Sequence, residues 1–200
     1  MPLTSTYAIK NNSSNLLTRS KQAGDMADKL ITNYEDVTVY GLDADTETLM
    51  LSQQKELTFC WTTKDGSPMA SILSYFYADG KFWMTSAAHR KRVPAIRRDP
   101  RVALVITSTG MEMGGSRTVT YKGTARVLDD VDTKKWFYRA LAERLYEKFG
   151  ENRVKEFAMM LDSPDRIVIE VTPGLRVGYD GQKMGAATTK SREAGILKVD

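Results

Sequence analysis

Two Asp-Gly dipeptides, Asp65-Gly66 and Asp79-Gly80, constrain the fold more than any other feature, because they divide three runs of strand-forming residues. The runs read LTFCWTT, PMASILSYFYA and FWMTSA. Asp-Gly between such runs is the strongest short-range signal for a β-hairpin, since both residues tolerate the backbone angles of a tight turn. The pattern therefore predicts consecutive antiparallel hairpins.

More strands follow. The runs RVALVITST and RTVTYKGTARVL are separated by the glycine-rich loop GMEMGGS, which can reverse the chain without steric cost. DRIVIEVTP and LRVGYD come later in the chain. So many sequential strands favour a closed or nearly closed antiparallel barrel, because closure removes exposed strand edges.

One long amphipathic helix is predicted within DDVDTKKWFYRALAERLYEKFG, where an apolar residue recurs every fourth position: Phe137, Leu141, Leu145 and Phe149. Asp132 is expected to cap its start and Gly150 to end it. Trp136 widens the stripe. Trp136, Phe137 and Phe149 are therefore expected in the core.

The length of 200 residues is that of one ordinary domain. Residues 1–24 are rich in Ser, Asn and Thr and are expected to form a mobile N-terminal arm. Residues 25–180 are assigned to the folded domain, with short helices over 25–34, 45–54 and 152–161. Asp45 or Thr46 would cap the second of these helices. Residues 181–200 are interpreted as loop and tail.

Composition excludes several kinds of site. The single His89, the single Cys60 and the lack of a carboxylate cluster argue against a protein-held metal. Serine hydrolysis is disfavoured because no G-x-S-x-G motif is present. Cys60 lies in an apolar run and is expected to be a buried structural thiol.

A lone cysteine cannot close an internal disulfide, and no apolar signal or membrane-spanning run is present, so a cytoplasmic location without membrane association is expected.

The segment MTSAAHRKRVPAIRRDPRV places a basic turn and helix between two strands. Pro94 fits only the first helical turn, so the helix should begin near Arg92 or Val93. It should end by Asp99, because Pro100 disfavours the α conformation in its predecessor. Val93 and Ile96 are then one turn apart and are expected to face the barrel.

The front of this basic helix has the groups that bind a dianionic phosphate. Thr85 and Ser86 offer hydroxyls, Arg90, Lys91 and Arg92 offer cations, and the helix start offers backbone N–H groups. A solvated basic turn remains the alternative. Nucleic acid is disfavoured because the arginines of the segment, Arg92, Arg97 and Arg98, would project around the helix and not along one face.

These tracts together resemble the FMN-binding split-barrel family, which includes pyridoxamine phosphate oxidase and related deazaflavin-dependent reductases. The resemblance runs from about Leu49 to Tyr179. It rests on TTKDGSPMASILSYFYADGKFWMTSA, on IRRDPRVALVI after the basic turn, and on YKGTARVLDD before the long helix. Two departures are Pro94 and Ala95, which stand where family members often have Arg and Asn.

The resemblance implies a mainly β fold with α-helices: a six-stranded antiparallel split β-barrel with flanking helices, homodimeric, with a flavin at the subunit interface. Ser71, Ile72 and Leu73 would lie along the isoalloxazine ring. Thr85 and Ser86 would meet the ribityl phosphate. Arg92 stands where the family commonly places a phosphate-binding Lys, and its basic neighbours Arg90 and Lys91 would assist.

The expected activity is that of an oxidoreductase that transfers a hydride between bound FMN, or a deazaflavin coenzyme, and a small conjugated organic substrate. The cofactor supplies this chemistry, so no side-chain acid or base is obligatory and no catalytic residue is assigned. Arg176 or Tyr179 could approach the substrate. Arg97, Arg98 and Arg101 could attract the acidic tail of a deazaflavin. The alternative is a flavin or haem carrier with the same fold and no turnover.

Overall fold

The computed structural model describes residues 37–196. Gly41–Asp180 form one compact unit, and residues 37–40 and 181–196 belong to a second. The expected arm over 1–24 and the short helix over 25–34 lie outside the described residues. The site residues named above all lie in the first unit.

The first unit is built on one seven-stranded antiparallel sheet. Its strands are β1 (Glu56–Thr62), β2 (Pro68–Ser74), β3 (Phe76–Ala78), β4 (Lys81–Ala87), β5 (Arg101–Thr107), β6 (Arg117–Leu128) and β7 (Arg166–Asp180). They lie side by side in the order β2-β1-β5-β6-β7-β4-β3. The two edge strands, β2 and β3, are separated in the chain only by Tyr75, so the sheet curls back on itself as a split barrel.

The expected count of six strands is wrong because Tyr75 interrupts the run PMASILSYFYA. Tyr75 is fully buried. Its backbone N–H donates to Lys55 O at 3.3 Å, and its hydroxyl donates to Leu51 O at 3.1 Å. The bond to Lys55 O is the last one in the β1–β2 register, and the buried side chain, held by Leu51 O, marks the point where the chain leaves β1. The first part of the run therefore pairs with β1 and the last part with β4.

The two Asp-Gly turns are confirmed. Gly66 has a φ of +85°, and Asp79 and Gly80 have φ values of +53° and +72°. They close the β1–β2 and β3–β4 hairpins. Because β2 and β3 do not pair with each other, the three runs form two hairpins joined by a bend and not a simple meander.

The barrel interior is filled by the inward-facing residues of alternate strand positions. Phe59, Phe82, Met84, Leu104 and Ile106 are all fully buried. Each such side chain stabilises the fold by about 1.5–3 kcal/mol relative to an exposed one. The alternation fixes the side of the sheet on which every other strand residue lies.

Four α-helices belong to the first unit: α1 (Ala44–Gln53), α2 (Arg92–Arg98), α3 (Val131–Tyr146) and α4 (Glu151–Leu161), with a 3₁₀ turn over Glu147–Phe149. The bounds predicted for α2 and α4 are confirmed. The expected caps are wrong. Asp43 precedes α1, and Asp130, whose carboxylate accepts a hydrogen bond from Thr133 N at 2.8 Å, caps α3.

The second unit contains α5 (Gly181–Glu193), where the sequence was interpreted as loop and tail. Gly181 and Gly185 are poor helix formers, but the residues between and after them include good ones. The hydroxyls of Thr188 and Thr189 donate to Met184 O and Gly185 O one turn earlier. These bonds let polar residues occupy the helix interior.

The expected burial is confirmed for Phe137 and wrong for Trp136 and Phe149. Phe137 is fully buried, whereas Trp136 is 42% exposed and Phe149 is 61% exposed. Trp136 lies at the edge of the stripe, where its ring contacts the rings of Phe76 and Trp83. Phe149 lies in the 3₁₀ turn after α3 has ended, so it leaves the helical stripe.

Candidate functional site

The predicted site residues of β2 and β4 lie on two strand edges that no other described strand covers. β2 pairs only with β1. β4 pairs with β3 over Lys81–Trp83 and with β7 on its other side, so Met84–Ala87 have one free edge. Both free edges start at Tyr75, where the chain passes from β2 to β3. We call the gap between them the split.

The basic turn follows directly where β4 ends. α2 begins at Arg92 and packs Val93 and Ile96, which are 0% and 2% exposed, against the barrel as predicted. The helix start contributes less to anion binding than expected. α2 is short, and the N–H groups of Val93 and Ala95 already donate to Arg90 O and Lys91 O. Attraction for an anion therefore depends on side chains.

Ser71 and Leu73 face the barrel interior, because they pair with the inward residues Phe59 and Leu57 of β1. The Ser71 Oγ is buried and has no hydrogen-bond partner among residues 37–196. An unpaired buried hydroxyl costs about 1–3 kcal/mol. This atom is therefore a candidate contact for a polar group bound in the split.

Arg92 lies on the same interior side. Its guanidinium lies over the ring of Trp61 at 5.6 Å from the centroid. Trp61 in turn stacks on Phe59, the residue opposite Ser71. A guanidinium over an aromatic face is attracted by the ring and is held in one orientation.

Burial lowers the pKa of Arg92, and the nearby charge of Arg90 lowers it further. The exposed Arg90 and the partly buried Arg92 repel each other, and a bound anion would offset that repulsion. Ser86 adds a hydroxyl on this side of β4: it is 3% exposed, and its Oγ donates to Ala87 O at 3.3 Å. The structure thus brings Ser71, Ser86 and Arg92 to one side of the barrel wall.

The remaining predicted residues lie elsewhere around the split. Thr85 points to the opposite face of β4 from Ser86, and its hydroxyl donates to Ile167 O at 2.8 Å. Ile72 points outward from β2 and is 66% exposed. Arg90 and Lys91 are exposed in the turn before α2. Thr85 and Ser86 therefore cannot direct both hydroxyls at one phosphate, although the free backbone edge of β4 includes both.

Arg176, expected near a substrate, has structural partners. Its guanidinium bonds to the carboxylate of Glu47 and to Leu42 O at 2.9 Å. Glu47 also accepts a hydrogen bond from the hydroxyl of Tyr121. Burial, followed by the hydrogen bond to Glu47, raises the pKa of Tyr121. These contacts tie α1 to β6 and β7.

Sequence reasoning missed Trp61 as part of the site. Its signal was the alternation in LTFCW, which puts Phe59 and Trp61 on one face. Cys60, the residue between them, is only half-buried on the other face, and burial raises the pKa of its thiol. Within the described part of the chain, no group of three or more His, Cys, Asp or Glu side chains is arranged to hold a metal, and no helix is long and apolar enough to span a bilayer.

Comparison with known proteins identifies relatives of this architecture. The family model described as pyridoxamine 5'-phosphate oxidase matches residues 48–175. No protein with a curated description matches the sequence. Among solved structures, a conserved hypothetical protein from Mycobacterium tuberculosis has a TM-score of 0.62 at 18% identity, covering 73% of this chain and 90% of that chain.

Two further solved structures share the fold at lower similarity. A candidate 5-nitroimidazole antibiotic resistance protein from Bacteroides thetaiotaomicron has a TM-score of 0.53 at 11% identity, covering 68% of this chain and 82% of that chain. HutZ, described as a haem storage protein, from Vibrio cholerae has a TM-score of 0.51 at 14% identity, covering 70% and 99%. At these identities the likeness concerns the fold.

Proposed function

The chain belongs to the pyridoxamine 5'-phosphate oxidase family, and from that premise we propose that it is a flavin-dependent oxidoreductase whose cofactor binds along the split. When bound, the flavin supplies hydride transfer to or from a small conjugated organic substrate. The protein binds and orients the cofactor and keeps water away from its reactive face. No acid or base residue is assigned.

The observation that supports this proposal most strongly is that a buried hydroxyl without a partner and an oriented cation lie on the same side of the barrel wall. Ser71 Oγ is buried without a partner among the described residues, and Arg92 is held over Trp61 on the same side of the wall. We assign the flavin phosphate to Arg92, with Arg90, Lys91 and Ser86 in support. The free edges of β2 and β4 offer backbone N–H and C=O groups to the rest of the cofactor.

FMN is favoured over a deazaflavin with an acidic tail. Two of the three arginines that would attract such a tail have other partners. Arg98 donates to Thr62 O at 3.0 Å, and Arg101 forms two hydrogen bonds with the carboxylate of Asp99. Of the three, Arg97 is left to attract the tail, and a single exposed cation attracts a polyanionic tail only weakly.

The proposed assembly is a homodimer formed through the outer face of the sheet. One cross-strand row on that face passes through five strands: Ile72, Thr58, Val105, Thr120 and Val177. Its two ends, Ile72 and Val177, are 66% and 61% exposed. Exposed apolar side chains on a regular sheet face are typical of an interface between protein chains. Because Ile72 belongs to β2, such an interface would adjoin the split.

A non-catalytic carrier is the second candidate, favoured by the shared fold with the haem storage protein. A haem would need an axial ligand, and His89, the single histidine, lies exposed in the basic turn. Carrier and enzyme differ in turnover. A carrier would retain its ligand yet fail to oxidise the reduced cofactor with any of a panel of quinones, nitroaromatics and unsaturated ketones.

The test begins with the purified protein. We expect an absorbance band in the flavin region, and we expect the ligand that copurifies to have the mass of FMN. Reduced FMN bound to the protein should then be reoxidised by at least one member of the panel under anaerobic conditions. A colourless protein that also fails to bind added FMN would refute the proposal. A haem spectrum that His89→Ala abolishes would establish the carrier in its place.

A further inference from the structure

A second polar site lies on the opposite face of β4 from Ser86, beneath α3. Its centre is Tyr138, a residue of α3 that is 2% exposed. The Tyr138 hydroxyl and the Arg166 Nε are both buried, and neither has a hydrogen-bond partner among residues 37–196. Two such donors in one region are unusual, because buried polar groups in folded proteins are nearly always paired.

Strand register puts Arg166 on the face of the sheet that α3 covers. Ala87, at the end of β4, pairs with Arg166, and Thr85 pairs with Val168. Alternation therefore puts the side chains of Thr85 and Arg166 on the same face of the sheet, which is the face that α3 covers. Tyr138 projects from α3 towards this face, packed with the buried Val168.

The charges around the phenol are mixed. Burial raises the pKa of Tyr138, whereas the hydroxyl of Thr85 and the charges of Lys134 and Arg166 act to lower it. Lys134 already pairs with Asp129. Asp162, which lines the same groove as Tyr138, acts to raise the pKa of the phenol. Arg166 is thus the cation that can neutralise a ligand here, and Asp162 disfavours a ligand with more than one negative charge.

Thr85 does not satisfy the phenol. Its own proton is donated to Ile167 O at 2.8 Å, and its oxygen is not within hydrogen-bonding geometry of Tyr138. What the region offers is therefore two unused donors and one positive charge. A carboxylate fits this set, because its two oxygens can accept from the phenol and from the guanidinium at the same time.

A groove lies beside Tyr138. A groove of about 560 Å³ between α3 and α4 is lined by Tyr138, Trp136, Met159 and Asp162, among others. We propose that Tyr138 and Arg166 form a binding site for a small carboxylate, reached from this groove and separate from the split. This inference does not depend on the proposed function.

The experiment measures thermal unfolding of the intact protein in rising concentrations of sodium acetate, with sodium chloride at equal ionic strength as the reference. A ligand that binds only the folded state raises the unfolding temperature in a saturable way. We expect a saturable rise with acetate, and at least a tenfold weaker apparent affinity in Tyr138→Phe and in Arg166→Gln. Trp83 and Trp136, whose rings are 4.9 Å apart near the site, should report the same affinity by fluorescence.

One control variant separates this site from the cofactor site. Arg92→Glu should keep the acetate response in full, whereas loss of the response in that variant would place acetate in the split and overturn the proposal. Equal effects of acetate and chloride would also overturn it. So would a high-resolution crystal structure grown in acetate that holds only a water molecule between Tyr138 and Arg166.

Discussion

The guanidinium of Arg92 lies 5.6 Å from the centre of the Trp61 ring. The two residues come from different elements, α2 and β1, and meet at the end of the barrel where β4 passes into the basic turn. The contact orients a partly buried cation towards the side of the wall that includes Ser71 and Ser86. The first prediction concerns this contact.

Replacing Trp61 by Leu should weaken FMN binding without removing any charge. A cation over an aromatic ring is stabilised by about 0.5–2 kcal/mol, so the dissociation constant should rise between about twofold and thirtyfold. Fluorescence titration of the apoprotein with FMN measures the change. Trp136→Leu, at the far margin of α3, is the matched control and should bind FMN normally. Unchanged affinity in Trp61→Leu would show that the ring does not position the cation.

Arg144 should be important for stability. Its guanidinium donates to three carbonyls at and after the end of α1, Ser52 O, Leu51 O and Gln54 O, and lies 5.1 Å over the ring of Tyr75. Arg144→Met should lower the free energy of unfolding by about 2–4 kcal/mol, because it leaves these carbonyls without a charged donor. Urea unfolding measures the change in the free energy of unfolding. Arg153→Met, an exposed change, should cost about 0.5 kcal/mol or less; equal losses in both variants would contradict the account.

Tyr75 should make the fold sensitive to alkaline pH. Burial raises the pKa of Tyr75 from 10.0 to about 12, against an opposing effect of Arg144. The folded state therefore favours the neutral phenol. The stabilisation is present in full below pH 10 and is lost as the pH rises from 10 to 12, by up to about 3 kcal/mol.

Urea unfolding of wild type and Tyr75→Phe at pH 8 and pH 11.5 tests this linkage. Tyr75→Phe should lose less stability over that interval than wild type, and Tyr146→Phe, a half-buried ring on α3, serves as the comparison. Parallel losses in wild type and Tyr75→Phe would show that another group controls the alkaline response.

The proposed dimer face predicts an effect on assembly. Val177→Glu should convert the dimer to a monomer in light scattering, because it puts a charge at one of the two exposed apolar ends of the proposed contact. Lys64→Glu, in the exposed β1–β2 turn, should leave the mass unchanged. A wild-type protein that is monomeric at micromolar concentration, or a Val177→Glu variant that remains dimeric, would remove this face from consideration.

Local sequence signals predicted the hairpin turns and α2 well, because the turn and helix-end residues act within a few positions. They could not predict the break at Tyr75, where the side chain is buried and its hydroxyl bonds to Leu51 O on another element. The burial of Trp136 was misjudged for a similar reason: its position at the margin of the stripe depends on where Phe76 and Trp83 lie.

The candidate site was only partly accessible to sequence reasoning. The alternation of strand residues is enough to predict that the side chains of Thr85 and Ser86 lie on opposite faces of β4, since adjacent strand residues point to opposite faces. The sequence could not predict the position of Arg92 over Trp61, because that position depends on how α2 packs against β1. The same holds for Tyr138 and Arg166, which the topology brings together from α3 and β7.

The central claim is that Arg92 and its neighbours bind the phosphate of a flavin. The most direct test compares the affinities of the apoprotein for FMN and for riboflavin, which lacks the phosphate, in wild type, Arg92→Glu and the control Arg97→Glu on the same helix. We predict that wild type and Arg97→Glu prefer FMN at least tenfold and that Arg92→Glu loses this preference. Equal affinity of wild type for the two flavins, or a preference for FMN that survives in Arg92→Glu, would contradict the account.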